Sequence, residues 1–166
     1  TSKVAMNFDG SADYVKIPDH SDFNHVAGGV SKFTVSFWFK SDTTDFSSEA
    51  KALFSKYDVN GKREWNIRIH TDGRIIVYVS DDGDNAINNT TNYTVSDTNW
   101  HHFIMRYDGS QSATSRCLAH VDGSIVLNSG TGTPSSSNPA ALNEDDAPVT
   151  IGAWLNSGSS ASEFDG

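Results

Sequence analysis

Three short stretches of the sequence place an aromatic ring beside amide or acid side chains. An exposed ring can stack on the apolar face of a ligand such as a sugar, while neighbouring polar groups hydrogen-bond its hydroxyls. These stretches are therefore candidate ligand-binding positions, although packing of the ring against a nearby loop is the more common role for any one of them. The candidates are Tyr57 with Asp58 and Asn60, Tyr93 with Asn92, and Trp154 with Asn156.

Acidic side chains gather at two turns of the sequence. Asp9 and Asp13 lie near the first turn, and Asp81, Asp82 and Asp84 share one polar stretch. Carboxylate oxygens are ligands that calcium prefers, so both groups are candidate calcium sites. Aspartate is also a common turn residue because its side chain hydrogen-bonds the local backbone. We favour the turn role and keep the calcium site as the alternative.

The sequence lacks the residue patterns that glycoside hydrolysis or a histidine-bound metal would need. Hydrolysis of a glycosidic bond requires two carboxylates that face each other across a cleft. Glu64 begins a strand-like stretch without an aspartate two positions later, and the other glutamates lie in loop-like stretches. The neighbours His101 and His102 would point to opposite faces of a strand, so they cannot chelate one ion. We expect no enzymatic activity.

The charge balance bears on the kind of partner. The formal net charge is −9, and no basic cluster interrupts it. Such a charge opposes attraction to phosphate backbones and to anionic lipid. No apolar run approaches the ~20 residues of a membrane-spanning helix. We therefore expect that the protein does not bind nucleic acid and does not insert into a membrane.

Apolar and polar residues alternate along several short stretches. From Phe33 to Phe39 the odd-numbered residues are apolar, which predicts a strand with one buried face, and Trp38 falls on the opposite face. Farther along, Asp72 and Gly73 have the signature of a hairpin turn between two such strands. About ten strands of this kind predict an all-β sandwich of two sheets.

The spacing of these strands predicts one domain over residues 1–166. The polar stretches 81–92 and 128–147 are predicted to be loops between strands. No internal repeat and no linker between independent cores is present. We expect two tryptophans, Trp38 and Trp65, to have structural roles.

The order of short motifs along the chain carries a family resemblance. The motifs include Phe8-Asp9-Gly10, Trp100-His101-His102-Phe103, Tyr107-Asp108-Gly109 and Phe164-Asp165-Gly166. In order and spacing they resemble the laminin G-like jelly rolls of the concanavalin A-like lectin and glucanase superfamily, which also includes the pentraxins. The resemblance implies two antiparallel sheets packed face to face. It also implies calcium as the cofactor, if there is one.

The sequence departs from this family at its end. Family members continue after the last motif with a strand that pairs beside the first strand, whereas this sequence stops at Gly166. The stretch from Val4 to Phe8 would then keep unpaired backbone groups, and such an edge invites pairing. We therefore predict a jelly roll without its C-terminal closing strand. A missing part of the same chain, or another chain, would donate that strand.

Taken together, these features favour a non-catalytic recognition or adhesion module. Its ligand would be a glycan, bound in the manner of a lectin, or a protein, and the module would be displayed outside a cell, on a cell surface or on a virion. The alternative is a structural or decoration subunit of a virion or other assembly, which the missing strand favours. A glycoside hydrolase has the least support, because only the superfamily resemblance points to it and one fold hosts many functions.

Overall fold

Short strands are the main regular structure in the computed structural model, which describes residues 5–166. Val4, part of the predicted first strand, lies outside the described residues. The two helical elements are a 3₁₀ turn (Ser21–Phe23) and α1 (Ala113–Arg116). Within residues 5–166, no helix is long and apolar enough to span a membrane.

The strands are β1 (Val15–Ile17), β2 (Val26–Ala27), β3 (Val30–Phe39), β4 (Lys51–Asp58), β5 (Lys62–Ile69), β6 (Arg74–Val79), β7 (Ile87–Thr94), β8 (His101–Asp108), β9 (Cys117–Val121), β10 (Ser124–Leu127), β11 (Val149–Ile151), β12 (Trp154–Asn156) and β13 (Ser159–Ala161).

These strands form two sheets. The larger sheet has the order β1-β11-β4-β5-β6-β7, with β12 joined to β4 and β13 joined to β12. The smaller sheet has the order β10-β9-β8-β3-β2. All pairings are antiparallel except the one between β12 and β4. The predicted two-sheet jelly-roll sandwich is therefore confirmed.

Apolar side chains from both sheets fill the space between them. Strands β3 and β8 pair in continuous register, from Lys32 opposite Asp108 to Phe39 opposite His101. Odd-numbered residues of both strands therefore face the interior, as the alternation predicts. Phe39 and Phe103 are buried in this core.

The two tryptophans expected to be structural differ in their surroundings. Trp65 is buried between the sheets, as expected. Trp38 is 62% exposed on the outer face of the smaller sheet, where it stacks on His102 with ring centroids 4.9 Å apart. Trp38 thus lies on the face opposite the core, as the alternation along β3 predicts, and its structural role stays a prediction.

Part of the stretch predicted to be a loop forms β7 instead. Two of its polar side chains, Asn89 and Thr91, are buried, and both are hydrogen-bonded to neighbouring groups. The Asn89 amide donates to Asn138 Oδ1 at 2.8 Å, and the Thr91 hydroxyl donates to Ile75 O at 2.9 Å. Polar residues in a buried strand give no apolar alternation, so the sequence could not distinguish this strand from a loop.

The first described residues pair with the last ones. Phe8 N–H donates to Gly166 O at 2.9 Å, and Gly166 N–H donates to Phe8 O at 3.1 Å. Asp9 and Asp165 form an isolated bridge beside them. The backbone of Phe8 is thus paired, contrary to the unpaired edge predicted for it.

A β-bulge interrupts the pairing of β4 with β5. Lys56 lies opposite Trp65, but the next pair is Tyr57 opposite Arg63, so Glu64 is the extra residue. The Lys56 ammonium and the Glu64 carboxylate form an ion pair, and both side chains are 1% exposed. The bulge therefore turns a glutamate inward, where a strict alternation would have turned it out.

This buried pair also holds two surface loops. Lys56 Nζ donates to Asp145 O at 2.6 Å and lies 3.0 Å from Asp19 Oδ1. The Asp145 N–H donates to Glu64 Oε1 at 3.0 Å. His25 Nε2 lies 3.4 Å from Glu64 Oε2. The loop before β2 and the loop before β11 are thereby fixed to the larger sheet.

A second polar network stands near the start of β8. His101, which is 8% exposed, lies between Asp122 Oδ2 at 2.7 Å and Asp97 Oδ1 at 3.1 Å. Burial disfavours the charged ring, but hydrogen bonds to Asp122 and Asp97 outweigh it and raise the pKa of His101 above 6.5. His101 therefore joins the turn after β9 to the loop before β8.

We expect Glu64→Gln to lower the free energy of unfolding by about 3 kcal/mol, because it leaves the Lys56 ammonium buried without its main partner. Chemical denaturation followed by tryptophan fluorescence measures the change. The control is Glu49→Gln, which breaks a more exposed pair with Lys51 at 3.1 Å and should cost at most about 1 kcal/mol. Equal losses in the two variants would contradict the assigned role of the buried pair.

The raised pKa of His101 predicts a stability that depends on pH. The contribution of the ion pairs is fully present below the unfolded-state pKa near 6.5 and is lost as pH rises through the higher folded-state pKa. The stability difference between the wild type and His101→Gln should therefore shrink in denaturation curves recorded from about pH 5 to about pH 9. His70→Gln, at a partly exposed histidine, is the control. A difference for His101→Gln that stays constant with pH would disprove the prediction.

Candidate ligand-binding site

The outer face of the larger sheet carries polar and aromatic side chains where β4, β5 and β6 lie side by side. Ser55 pairs with Asn66, and Asn66 pairs with Tyr78. Arg68 lies two residues farther along β5 on the same face, opposite Ile76. Four chemically different groups from three strands thus share one surface.

The bulge adds Arg63 to this face, beside Tyr57 of β4. Because Tyr57 pairs with Arg63 after the bulge, both side chains point outward together. Strand β12 runs alongside β4 through the pairing of Leu155 with Asp58, and it brings Trp154 to the same place. The Tyr57 and Trp154 rings meet edge to face, with centroids 5.7 Å apart and planes at 87°. The structure therefore unites two of the predicted aromatic candidates.

Each arginine lies over a tyrosine ring. The Arg68 guanidinium carbon is 3.9 Å from the centroid of the Tyr78 ring, and that of Arg63 is 5.9 Å from the centroid of the Tyr57 ring. Such cation–π contacts position a guanidinium without neutralising its charge. We call the set the aromatic–arginine cluster; it consists of Tyr57, Arg63, Asn66, Arg68, Tyr78 and Trp154.

Several polar atoms of the cluster have no hydrogen-bond partner within residues 5–166. They are Nε of Arg63 and Arg68, Nε1 of Trp154, and Oδ1 of Asn66. Asn66 is 1% exposed, whereas both arginines and Trp154 are half-buried. A buried polar atom without a partner costs free energy, and such atoms call for a specific explanation. A ligand that hydrogen-bonds the cluster would provide one.

The Tyr57 hydroxyl keeps its proton. Burial raises the pKa of Tyr57, and the charges of Arg63 and Arg68 lower it by less, so the value lies above 10.0. At neutral pH this hydroxyl is therefore available as a hydrogen-bond donor beside the arginines.

The predicted neighbours of Tyr57 and Trp154 have different roles. The Asp58 carboxylate accepts hydrogen bonds from the N–H groups of Asn60 at 3.2 Å, Ser157 at 2.7 Å and Gly158 at 3.0 Å. Asp58 thus fixes the turn between β12 and β13, and through it the position of β12. Asn60 and Asn156 are exposed beside this turn.

The remaining predicted pair, Asn92 and Tyr93, lies apart from the cluster on β7. The Tyr93 hydroxyl is 3.1 Å from His101 Nδ1. Burial, together with the nearby charges of Asp122 and Asp97, raises the pKa of Tyr93 to about 12. Tyr93 therefore belongs to the His101 network, while Asn92 is exposed.

The five aspartates proposed for calcium are occupied with turns or exposed. Asp9 accepts a hydrogen bond from the N–H two residues later at 2.8 Å. Asp82 accepts from the N–H groups three and two residues later, at 2.8 and 2.9 Å, and these bonds lower its pKa. Asp13, Asp81 and Asp84 are exposed. Within residues 5–166, no three acidic, histidine or cysteine side chains gather as metal ligands would. Calcium binding stays a prediction that this geometry does not support.

Four members of the cluster were not among the predicted site residues. Alternation along β5 and β6 placed Asn66, Arg68 and Tyr78 opposite the apolar residues, and this shared polar face was a signal that could have identified them. Arg63 gave no such signal, because simple alternation assigns it to the interior. Its position depends on the bulge at Glu64.

A concave feature opens elsewhere in the molecule, along the edge of β3. It is a groove of about 430 Å³ whose walls include Phe33, Lys56 and Trp65. His25 also lines it, 6% exposed and stacked on Phe33 with centroids 4.5 Å apart. On this side, β3 pairs within residues 5–166 only through its first two residues, with β2. The rest of the β3 edge has no strand beside it in that part of the chain.

Comparison with known proteins gives one family. A family model described as "Concanavalin A-like lectin/glucanases superfamily" matches residues 9–166. A search of curated proteins finds no match to the chain.

Several solved structures are similar in fold. A heptameric SAP-like pentraxin from Limulus polyphemus is 14% identical, with a TM-score of 0.61 over 96% of this chain and 70% of that one. The CBM40 of the Ruminococcus gnavus IT-sialidase, bound to α2,3 sialyllactose, is 14% identical, with a TM-score of 0.56 over 83% and 72%. Domains LG4-5 of the mouse laminin α1 chain are 16% identical, with a TM-score of 0.56 over 96% and 38%. At these identities the likeness shows the fold.

Proposed function

Because the chain belongs to the concanavalin A-like lectin/glucanases superfamily, as the order of its motifs predicts, we propose that it is a non-catalytic module that binds a glycan at the aromatic–arginine cluster. Membership in this superfamily does not fix the ligand, since one fold hosts many functions. The proposal rests on one observation: the Tyr57 and Trp154 rings pack edge to face beside the guanidinium groups of Arg63 and Arg68.

The composition of the cluster suits a sugar. Aromatic rings cover the apolar face of a sugar ring, and fixed polar groups hydrogen-bond its hydroxyls. Trp154, which is half-buried, supplies the ring and packs edge to face on Tyr57, which is 9% exposed, while Asn66 supplies an acceptor oxygen with no partner in residues 5–166. The fold relative from Ruminococcus gnavus is bound to a sialylated sugar, which supports glycan binding as a use of this architecture.

Binding without catalysis is the second part of the proposal. Retaining and inverting glycosidases both use two carboxylates placed on either side of the scissile bond. The aromatic–arginine cluster contains no carboxylate. The nearest acid along β4, Asp58, accepts three backbone hydrogen bonds that hold the β12–β13 turn. Its role in the turn leaves no free acid there for proton transfer.

We extend the proposal to the setting in which the module works. A recognition or adhesion role places it outside a cell, on a cell surface or on a virion. The formal charge of −9 suits an exposed, soluble surface of this kind. Protein ligands are the alternative to glycans at the same cluster.

Glycan binding at the cluster predicts a loss of affinity in Trp154→Ala. Removing the indole takes away half of the aromatic pair, so the dissociation constant for the best ligand from a glycan array should rise at least about tenfold, or about 1.4 kcal/mol. Isothermal titration calorimetry measures it. The matched control is Trp38→Ala, which removes an exposed tryptophan from the other sheet. An array without any bound glycan, or equal effects of the two substitutions, would refute the assignment.

A structural subunit is the second candidate function, and the groove along β3 favours it. An extended segment from another chain, or from a longer form of this one, could add to the β3 edge and cover Phe33 and Trp65 by β-augmentation. Lys32 N–H already bonds His25 O on that side, so alternate residues such as Thr34 direct their N–H groups the same way. The edge thus offers both backbone donors and an apolar wall.

If this edge accepts strands, the purified chain should self-associate through it. Size-exclusion chromatography with light scattering should find species larger than the monomer. Thr34→Pro should shift them toward monomer, because proline removes a donor from the open edge. Thr34→Ala keeps the backbone donor and serves as the control. A wild-type chain that is monomeric at all accessible concentrations would exclude strand pairing.

A further inference from the structure

We infer that the ligand of the aromatic–arginine cluster carries an anionic group, a carboxylate or a sulfate ester, held by Arg63 and Arg68. This inference rests on the proposed function and specifies its ligand as an acidic glycan. Three independent features of the cluster support it: the balance of charge, the geometry of the guanidinium groups, and the excess of hydrogen-bond donors.

The two guanidinium charges are not neutralised by the protein. None of the ion pairs within residues 5–166 includes Arg63 or Arg68. By contrast, Arg74 on the neighbouring strand pairs with Asp72 at 2.6 Å. The chain has 21 acidic and 12 basic residues, so acids are plentiful. Two arginines without an acid in such a chain form a local site of positive charge.

The surroundings of these arginines favour an anion over water. Each guanidinium is over a tyrosine ring, and its Nε is buried without a partner in the described part of the chain. Stacking on a ring leaves the in-plane N–H groups at the tip free, in a fork that matches a carboxylate or sulfate. Partial burial also strengthens the attraction, because the effective dielectric constant is lower than in water.

Most of the other polar groups in the cluster are donors. Trp154 Nε1 can only donate, and the Tyr57 hydroxyl keeps its proton at neutral pH. Asn66 Oδ1 is the acceptor among the cluster atoms that lack a partner within residues 5–166. A surface with this excess of donors is complementary to a ligand with an excess of acceptor oxygens, which an acidic sugar has and its neutral counterpart lacks.

The first experiment is a glycan array printed with matched acidic and neutral members. Lactose, sialyllactose and sulfated lactose form one such set, and uronic acid oligomers with their reduced neutral forms make another. We expect the bound glycans to be acidic, and the sialylated and sulfated arms to separate carboxylate from sulfate recognition. Affinity should fall as salt rises from about 50 mM to about 500 mM, because the charged contact is partly exposed. Equal binding of acidic and neutral members would overturn the inference.

The second experiment tests the arginines by calorimetry with the best acidic glycan. Arg63→Gln and Arg68→Gln should each weaken binding at least about tenfold, and the double variant should abolish it. Arg68→Lys keeps the charge but loses the fork, so it should fall between the wild type and Arg68→Gln. The matched control is Arg106→Gln, which removes an exposed arginine from the smaller sheet and should leave affinity unchanged. Thermal unfolding of each variant verifies that the fold is retained.

The outcomes separate this inference from the proposed function. One outcome would be that neutral glycans bind, that Trp154→Ala abolishes this binding, and that the arginine variants bind normally. In that case the proposed glycan binding stands and the inference of an anionic ligand is wrong. If no glycan binds, both are wrong. If Arg106→Gln weakens binding as much as Arg63→Gln does, the effect reflects net charge and the assignment to the cluster fails.

Discussion

The candidate site depends on the buried ion pair between Lys56 and Glu64. Two charges removed from water are costly unless each is paired and hydrogen-bonded. Here the loop around Asp145 supplies the additional bonds. The bulge at Glu64 places this side chain inside and also turns Arg63 outward beside Tyr57. One bulge therefore places an ion pair in the interior and adds Arg63 to the outer face.

The resulting surface has the opposite charge to the rest of the protein. The chain is acidic overall, yet the cluster on the larger sheet has two arginines and no carboxylate. A positive site on an acidic protein attracts small acidic ligands only at short range, because salt screens the distant charges. In the function proposed above, ligand selection depends on contact with the rings and on the fork geometry of the guanidinium groups. Rigid strands beneath them keep that geometry fixed.

Much of the fold could be predicted because its main signal is local. Alternating apolar residues and the Asp72-Gly73 turn identify strands without knowledge of the partner strands. The failures occurred where polar groups are buried in pairs. Asn89 and Thr91 are buried through hydrogen bonds to residues distant in sequence, so β7 has the composition of a loop.

The sequence by itself determined the two-sheet sandwich and its superfamily, and it pointed to two aromatic residues of the candidate site, Tyr57 and Trp154. Only the tertiary structure decided that these two rings meet, since they lie far apart in the chain and join through the pairing of β12 with β4. It also decided that Arg63 accompanies them. The physical reason is that the hydrophobic pattern of a strand can be recognised within that strand alone. The bulge, in contrast, depends on the ion pair between Glu64 on β5 and Lys56 on β4, which forms only when the two strands pair.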